Sequence, residues 1–296
     1  MAKVVVIGAS SLIGSYFIDN NFDYELICFS RNNKNYNYLD LKDENTFSNF
    51  SYKDSFLVSF APIWLTANLI SFLEEKKLDI LKSLKGIIVF SSTSATTKRF
   101  AANDFDKKLS KKILYSENKI LTTCDKYTLN CRVIRPTIIY GVYKELDDSN
   151  FSQIIRFFNR TPFCLVPNRT GYRQPIHFSQ LSKLTNIFLN LFNNNYESVV
   201  SSKIIEVGGD EELSYKELLS RLLIVSSSKA RKKCILIALP NKIFMIIISP
   251  LLIFRPKLFE ALYRMQSDLS GFKKYCDYSG EKPQNFPIGN FDIMRK

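Results

Sequence analysis

The residues best suited to chemistry are Tyr115 and Lys119, in the run Tyr115-Ser-Glu-Asn-Lys119. Residues four apart share a helix face, so the Lys119 ammonium is expected beside the Tyr115 phenol. A phenol ordinarily titrates near pH ~10, and an adjacent cation favours its ionised form. Such a pair can exchange a proton at neutral pH. Upstream, Thr93 lies in Phe90-Ser91-Ser92-Thr93-Ser94. A hydroxyl at the end of a central strand faces the crevice where open α/β sheets bind ligands, and there it can hydrogen-bond a reacting oxygen. Near the start, Gly8-Ala-Ser10-Ser11-Leu12-Ile13-Gly14 puts two glycines between a strand and a helix. That placement turns backbone N–H groups and the positive helix end towards a pyrophosphate.

These groups need a frame, and the first half of the chain supplies one. Strand-like runs at Lys3–Ile7, Tyr24–Phe29, Ser55–Ser59, Gly86–Phe90 and Cys131–Ile134 alternate with helical stretches. The helical stretches are about Leu12 to Asn20, Leu65 to Glu75 and Asp106 to Asp125. This is the rhythm of a doubly wound parallel sheet, an α/β Rossmann-type fold. The expected division is a dinucleotide-binding domain over 1–145, with a return to the sheet about 175–209. A smaller C-terminal substrate-binding lobe then takes 146–174 and 210–296. Ser214-Tyr-Lys-Glu217 is a capping box that opens a helix of that lobe.

Composition narrows the function classes. The chain has one histidine, His177, which leaves little material for a histidine-rich metal site or a Ser-His-Asp triad. No metal is expected. Six scattered cysteines without a C-x-x-C pair suit a reducing cytoplasm. Residues 1–7 run straight into the glycine turn, so they read as part of the fold rather than as a leader. The net charge of +13 is spread along a Lys-, Asn- and Phe-rich chain, which fits an anionic small substrate better than nucleic acid.

The second strand leads into Phe29-Ser30-Arg31-Asn32, with no acid to hold the adenosine ribose hydroxyls. Arg31 offers a planar fork to a 2′-phosphate instead. The expected cofactor is therefore NADP, with NAD as the alternative.

Taken in order, the glycine turn, the Ser-Ser-Thr strand end, Tyr115/Lys119 and Arg135-Pro136-Thr137-Ile138-Ile139-Tyr140-Gly141 resemble the extended short-chain dehydrogenases. This family is also called the NAD-dependent epimerase/dehydratase family, and the likeness is to its nucleotide-sugar members in polysaccharide biosynthesis. Two departures stand in the turn, where Ile7 replaces Thr and Ser11 replaces the middle Gly. The resemblance implies that Phe60, Ala61 and Pro62 line the cofactor, as do Pro136, Thr137 and Ile138. It also implies that Asp40 and Leu41 contact the adenine, and that Asn150 and Arg173 touch the nucleotide or diphosphate of a substrate, with Thr93 at its reacting oxygen. Met265-Gln-Ser-Asp-Leu269 resembles the tail motif of that subgroup.

The implied reaction is hydride transfer between the nicotinamide and a sugar carbon. Tyr115 exchanges the hydroxyl proton, while Lys119 lowers its pKa and holds the ribose. Ser94-Ala-Thr-Thr97 stands where dehydratases of the family carry Asp-Glu, so dehydration ranks last. A reductase acting on a UDP-linked 4-keto-6-deoxy-N-acetylhexosamine ranks first and a 4-epimerase second. A non-catalytic dinucleotide sensor or scaffold is the rival from another class. A homodimer is left open.

Residues 234–254 are strongly apolar but broken by Pro240-Asn241-Lys242. They are too short to span a ~30 Å hydrocarbon core. The first expectation is a buried or capping helix of the second lobe. The second is a peripheral membrane contact, flanked by Lys229 to Lys233 and by Arg255 and Lys257.

Overall fold

A computed structural model describes residues 1–101, 103–194, 202–227 and 234–289. Lys229 to Lys233, the expected basic flank of the apolar stretch, lie outside the described residues. Contacts divide the chain into two units. The first holds 1–96, 109–136 and 178–207, and the second holds 97–108, 137–177 and 208–296. The sequence had set the boundary at 145, whereas this division falls at 136 and assigns 97–108 to the second unit.

The first unit is built on parallel strands: β1 (Lys3–Ile7), β2 (Glu25–Ser30), β3 (Asn37–Tyr38), β4 (Ser55–Ser59), β5 (Gly86–Phe90) and β6 (Cys131–Pro136). A returning strand, Ile204–Gly208, pairs in parallel with β6. The lateral order is returning strand, β6, β5, β4, β1, β2, β3. Strands β4, β5 and β6 are buried along their whole length, as is β1 after Lys3. This is why they read mainly as apolar runs rather than alternating ones, with Ser55 and Ser59 at the ends of β4 and Arg132 and Arg135 in β6 as buried exceptions. Two helices follow the first and fourth strands, α1 (Leu12–Asp19) and α2 (Ile63–Lys76), and a long helix spans Asp104–Lys126. Because β1 pairs with both β2 and β4, the strand order reverses there. A crevice forms where strand order reverses, at the carboxyl ends of the strands.

One polar cluster locks the long helix to the sheet. Glu117, on that helix, is almost fully buried. It accepts from Arg135 Nε at 2.8 Å and from Nη2 at 2.5 Å, a bidentate pair. Ser91, just beyond β5, donates to the same carboxylate. The Arg135 pKa is raised, first by its bond to Glu117, and Nη1 also reaches Glu206 at 3.0 Å. Around this pin the inward face carries Ser110, Ile113, Ile120 and Cys124, all buried.

In the second unit, Phe163–Pro167 pairs in parallel with Ile235–Leu239. The capping box behaves as expected at one end: the Glu217 N–H donates to Ser214 Oγ at 3.2 Å. The Glu217 carboxylate turns instead to Arg221 at 2.8 Å. The apolar stretch is not the buried helix first expected. It forms the strand Ile235–Leu239 and then the short helices Asn241–Ile248 and Leu251–Phe254, with many apolar side chains exposed. The turns at Pro240 and Pro250 divide it, since proline tolerates only the first turn of a helix.

Removing one member of a buried ion pair leaves the other uncompensated, at a cost of about 3 kcal/mol or more. Glu117→Gln is therefore expected to lower unfolding stability by about 3 kcal/mol in urea titration. A loss under about 1 kcal/mol would show that Glu117 does not anchor the helix.

Candidate dinucleotide crevice and the Tyr115–Lys119 groove

The turn after β1 is shaped by close backbone approach. Gly8 has φ +76°, and a side chain there would meet the Ala61 N at 3.0 Å. At Gly14 a β-carbon would fall 2.4 Å from the Gly8 carbonyl oxygen. Glycine is thus required at both positions. Ser11, in the place of a glycine, caps α1: its Oγ accepts from the Gly14 N–H at 3.1 Å. Its own hydroxyl proton remains to be donated to a phosphate oxygen. Leu12 and Ile13 supply the first-turn amides.

The neighbouring strand ends complete the crevice. Ser10 and Ser30 hydroxyls meet at 3.0 Å, and Ser30 Oγ also accepts from the Asn32 and Asn33 N–H groups. Phe60 donates its N–H to Ile7 O at 2.9 Å, which seats Phe60-Ala61-Pro62 beside the glycine turn. Arg31 is exposed; its Nε bonds Asn32 Oδ1, and its guanidinium lies 3.9 Å from Asp40. Asp40 accepts the Lys42 N–H at 3.0 Å, and Leu41 is buried in the core. Gly8, Ser10, Ser11, Leu12, Ile13, Gly14, Ser30, Arg31, Asp40, Phe60 and Ala61 therefore gather at the ends of β1, β2 and β4. Its amide and hydroxyl donors fit a dinucleotide pyrophosphate, and Arg31, with Asp40 as its acidic neighbour, is the group a ribose phosphate would meet.

Thr93 stands after β5 and is mostly buried. Both its N–H and its Oγ1 donate to the Pro136 carbonyl, at 3.1 and 3.2 Å. In the second unit the Thr137 hydroxyl donates to the Gln174 carbonyl, and Ile176 N–H donates to Ile138 O at 3.0 Å.

Tyr115 and Lys119 are brought together, on a different face of the helix from the one expected. They line a groove of about 640 Å³ with Lys42, Pro62, Trp64, Asn68, Lys112 and their neighbours. Lys112 sits over the Trp64 ring at 4.6 Å. Two residues along a helix is a rotation of about 200°. Since Glu117 points at the strand ends, residues 115 and 119 on either side of it both point roughly the other way. The Tyr115 side chain is 70% exposed accordingly. On the inward face, one and two turns before Glu117, stand Ile113 and Leu109. Ser110, on that side, spends its hydroxyl on the Ala95 carbonyl at 2.5 Å. Thr93 is not in the wall of the groove. The expected meeting of phenol, ammonium and Thr93 at the crevice mouth is thus not made. Spacing fixed the shared face of the pair, but helical phase put that face on the outside.

Two residues expected at the substrate have other work. Arg173 is buried, and three of its N–H groups reach the carbonyls of Tyr172, Ser267 and Arg264. Its guanidinium stacks 4.8 Å from the Tyr215 ring, and burial pushes its pKa down to about 10. It ties the tail motif to its own strand rather than standing open to a diphosphate. Asn150 is exposed, and its N–H donates to Asp148 Oδ1 at 2.9 Å. The residue that sequence reasoning missed is Glu117. Its signal was the apolar run 113, 117, 120, 124 at helical spacing, interrupted by one carboxylate.

No family model matches the chain, and no curated protein matches it. Solved structures do. UDP-N-acetylglucosamine 4-epimerase from Bacillus cereus superposes with a TM-score of 0.57 at 17% identity, covering 80% of this chain and 86% of its own. The GDP-mannoheptose C4 reductase MlghC from Campylobacter jejuni, with NADP bound, gives 0.60 at 12% identity over 81% and 88%. RMD from Pseudomonas aeruginosa, complexed with NADPH, gives 0.60 at 11% identity over 96% and 94%. The chain shares their fold. The Rossmann-type α/β reading of the sequence holds at that level, and the likeness speaks to fold alone. Among the described residues no cluster of His, Cys, Asp and Glu could hold a metal ion.

His177 is buried, and desolvation pushes its pKa from 6.5 down to about 4. The unfolded chain therefore binds a proton that the folded chain refuses between pH 6.5 and about 4. Stability is expected to be full above that window and to fall by up to about 3 kcal/mol across it. Urea midpoints measured from neutral to acid pH check this, and His177→Phe should flatten the slope. An equal slope in both proteins would remove His177 as its source.

Proposed function

We propose that the chain is an NADP-dependent oxidoreductase acting on a nucleotide-linked sugar, with a UDP-4-keto-6-deoxy-N-acetylhexosamine as the substrate and reduction at C4 as the reaction. The observation that carries this reading is the crevice where the strand order reverses. There Gly8, Ser11 and Gly14 present a capped helix start, and the end of β2 carries Ser30 and then Arg31 rather than an acid, with Asp40 3.9 Å from the Arg31 guanidinium. Proteins that share this fold include nucleotide-sugar epimerases and a GDP-mannoheptose reductase, which supports the substrate class. A 4-epimerase, with NAD retained, is the close alternative.

Bound at that crevice, the dinucleotide would supply the hydride. The α1 amides and the Ser11 hydroxyl would hold its pyrophosphate, and Arg31 its 2′-phosphate. In this reading Thr93 leaves the Pro136 carbonyl to orient the sugar oxygen, and because Tyr115 and Lys119 face outward the proton comes from water.

A specific observation favours a second reading from another class. Ile113 and Leu109, which bear no proton, occupy the inward face, while Tyr115 is turned out. A protein of this build would bind the dinucleotide without turning it over, as a sensor or scaffold.

One experiment separates the two. NADPH oxidation is followed with a 4-keto nucleotide sugar, beside the melting temperature of the protein with each dinucleotide. The proposal expects turnover in the wild type, little change in Tyr115→Phe, a loss of about tenfold or more in Thr93→Ala, and a preference for NADPH that Arg31→Ala removes. A loss of about a hundredfold in Tyr115→Phe would return the proton chemistry to the pair and overturn this assignment. A melting shift with NADPH but no turnover in the wild type would establish the second reading.

A further inference from the structure

The apolar stretch of the second unit carries nine large apolar side chains that are exposed between 235 and 258: Ile235, Ile237, Ile243, Ile246, Ile247, Leu252, Ile253, Phe254 and Leu258. The most open are Ile246 (71%), Phe254 (79%) and Ile253 (80%). The helix Asn241–Ile248 is apolar on both sides. Phe244 and Ile248 are buried in a small core with Met265, while Ile243, Ile246 and Ile247 face outward. A helix that is apolar all round is ordinarily covered on every side, by protein or by lipid. Isolated exposed leucines need no explanation, but a contiguous set marks an interaction surface.

Within the stretch itself the charge has one sign. From Cys234 to Phe259 the chain contains no Asp or Glu, while Lys242, Arg255 and Lys257 are all exposed. Lys257 lies 3.6 Å over the ring of Phe105, itself more than half exposed, which adds an aromatic ring to the patch. The whole chain carries +13. No described helix is long and apolar enough to cross a membrane. The pieces here are eight, four and eight residues long, Asn241–Ile248, Leu251–Phe254 and Pro256–Tyr263. Short, apolar, cation-edged helices of this kind lie in the plane of a bilayer interface.

We propose that the face formed by Ile235–Leu239, Asn241–Ile248 and Leu251–Leu258 docks the protein on an anionic lipid surface. Ile246, Ile253 and Phe254 enter the acyl boundary, and Lys242, Arg255 and Lys257 stand at the headgroups. Isoleucine and phenylalanine supply the apolar burial, and the cations select anionic lipid over zwitterionic. A protein partner would be expected to offer acids for these cations, and a second copy of this face would bring like charges together.

Vesicle flotation of the full chain tests it, using phosphatidylcholine with and without phosphatidylglycerol. The wild type is expected to float with the phosphatidylglycerol vesicles and to be released by high salt. Ile253→Asp with Phe254→Asp should weaken binding roughly tenfold or more, as should Lys242→Glu with Arg255→Glu. All of these positions are exposed, so melting temperatures should stay near the wild-type value. Absence of flotation overturns the proposal, as does flotation that neither variant reduces. A dimer seen by light scattering that the aspartate variant splits, without vesicle binding, would assign the face to a second copy and overturn it equally. None of these readouts depends on the dinucleotide, so the docking and the proposed reaction stand or fall separately.

Discussion

The buried bond between Glu117 and Arg135 sets the rotation of the long helix, and much else follows from that rotation. A carboxylate with both oxygens committed to a guanidinium, and a serine hydroxyl added, has a single low-energy orientation in an apolar setting. Once Glu117 faces the ends of β5 and β6, every other residue on the helix has its direction assigned by the 3.6-residue turn. Ile113 and Cys124 go inward with it, and Tyr115 and Lys119 go out over α2. Chemistry on this helix is therefore a question of phase as much as of residue type.

That explains where the sequence was legible and where it was not. The buried parallel strands announced themselves, because a strand covered on both faces is written mainly in apolar residues, and β4 and β5 have the expected bounds. The glycine turn was equally plain, since only glycine fits the approaches at positions 8 and 14. Tyr115 and Lys119 were harder. Spacing states that two residues share a face but not which face, and that choice was made by Glu117, standing between them. Arg173 was misleading for a related reason: an arginine in a polar run suits a phosphate or a set of carbonyls equally well, and only tertiary structure shows the carbonyls of 264 and 267 closing on it.

The region 234–258 escaped a sequence reading in another way. Its apolar content was obvious, but hydrophobicity does not distinguish a helix the protein buries from one it leaves uncovered. The deciding fact is packing. Phe244 and Ile248 have a core to enter, while Ile246, Ile253 and Phe254 have none among the described residues. Arg255 and Lys257 already flanked the stretch in the sequence, but Lys242 read only as part of a break, and packing is what sets it at the edge of the exposed face.

Ser11 has an effect that reaches beyond its bond. With its oxygen on the Gly14 amide, one of the donors at the start of α1 already has its partner within the chain. The empty turn then has no unmet amide at that position to pull it out of shape, and an arriving diphosphate finds its seat prebuilt rather than having to assemble it. The same arrangement withholds one amide from the guest and offers a rotatable hydroxyl in exchange. Grip is thereby traded for readiness, a balance better suited to a nucleotide that comes and goes than to one kept for the life of the protein.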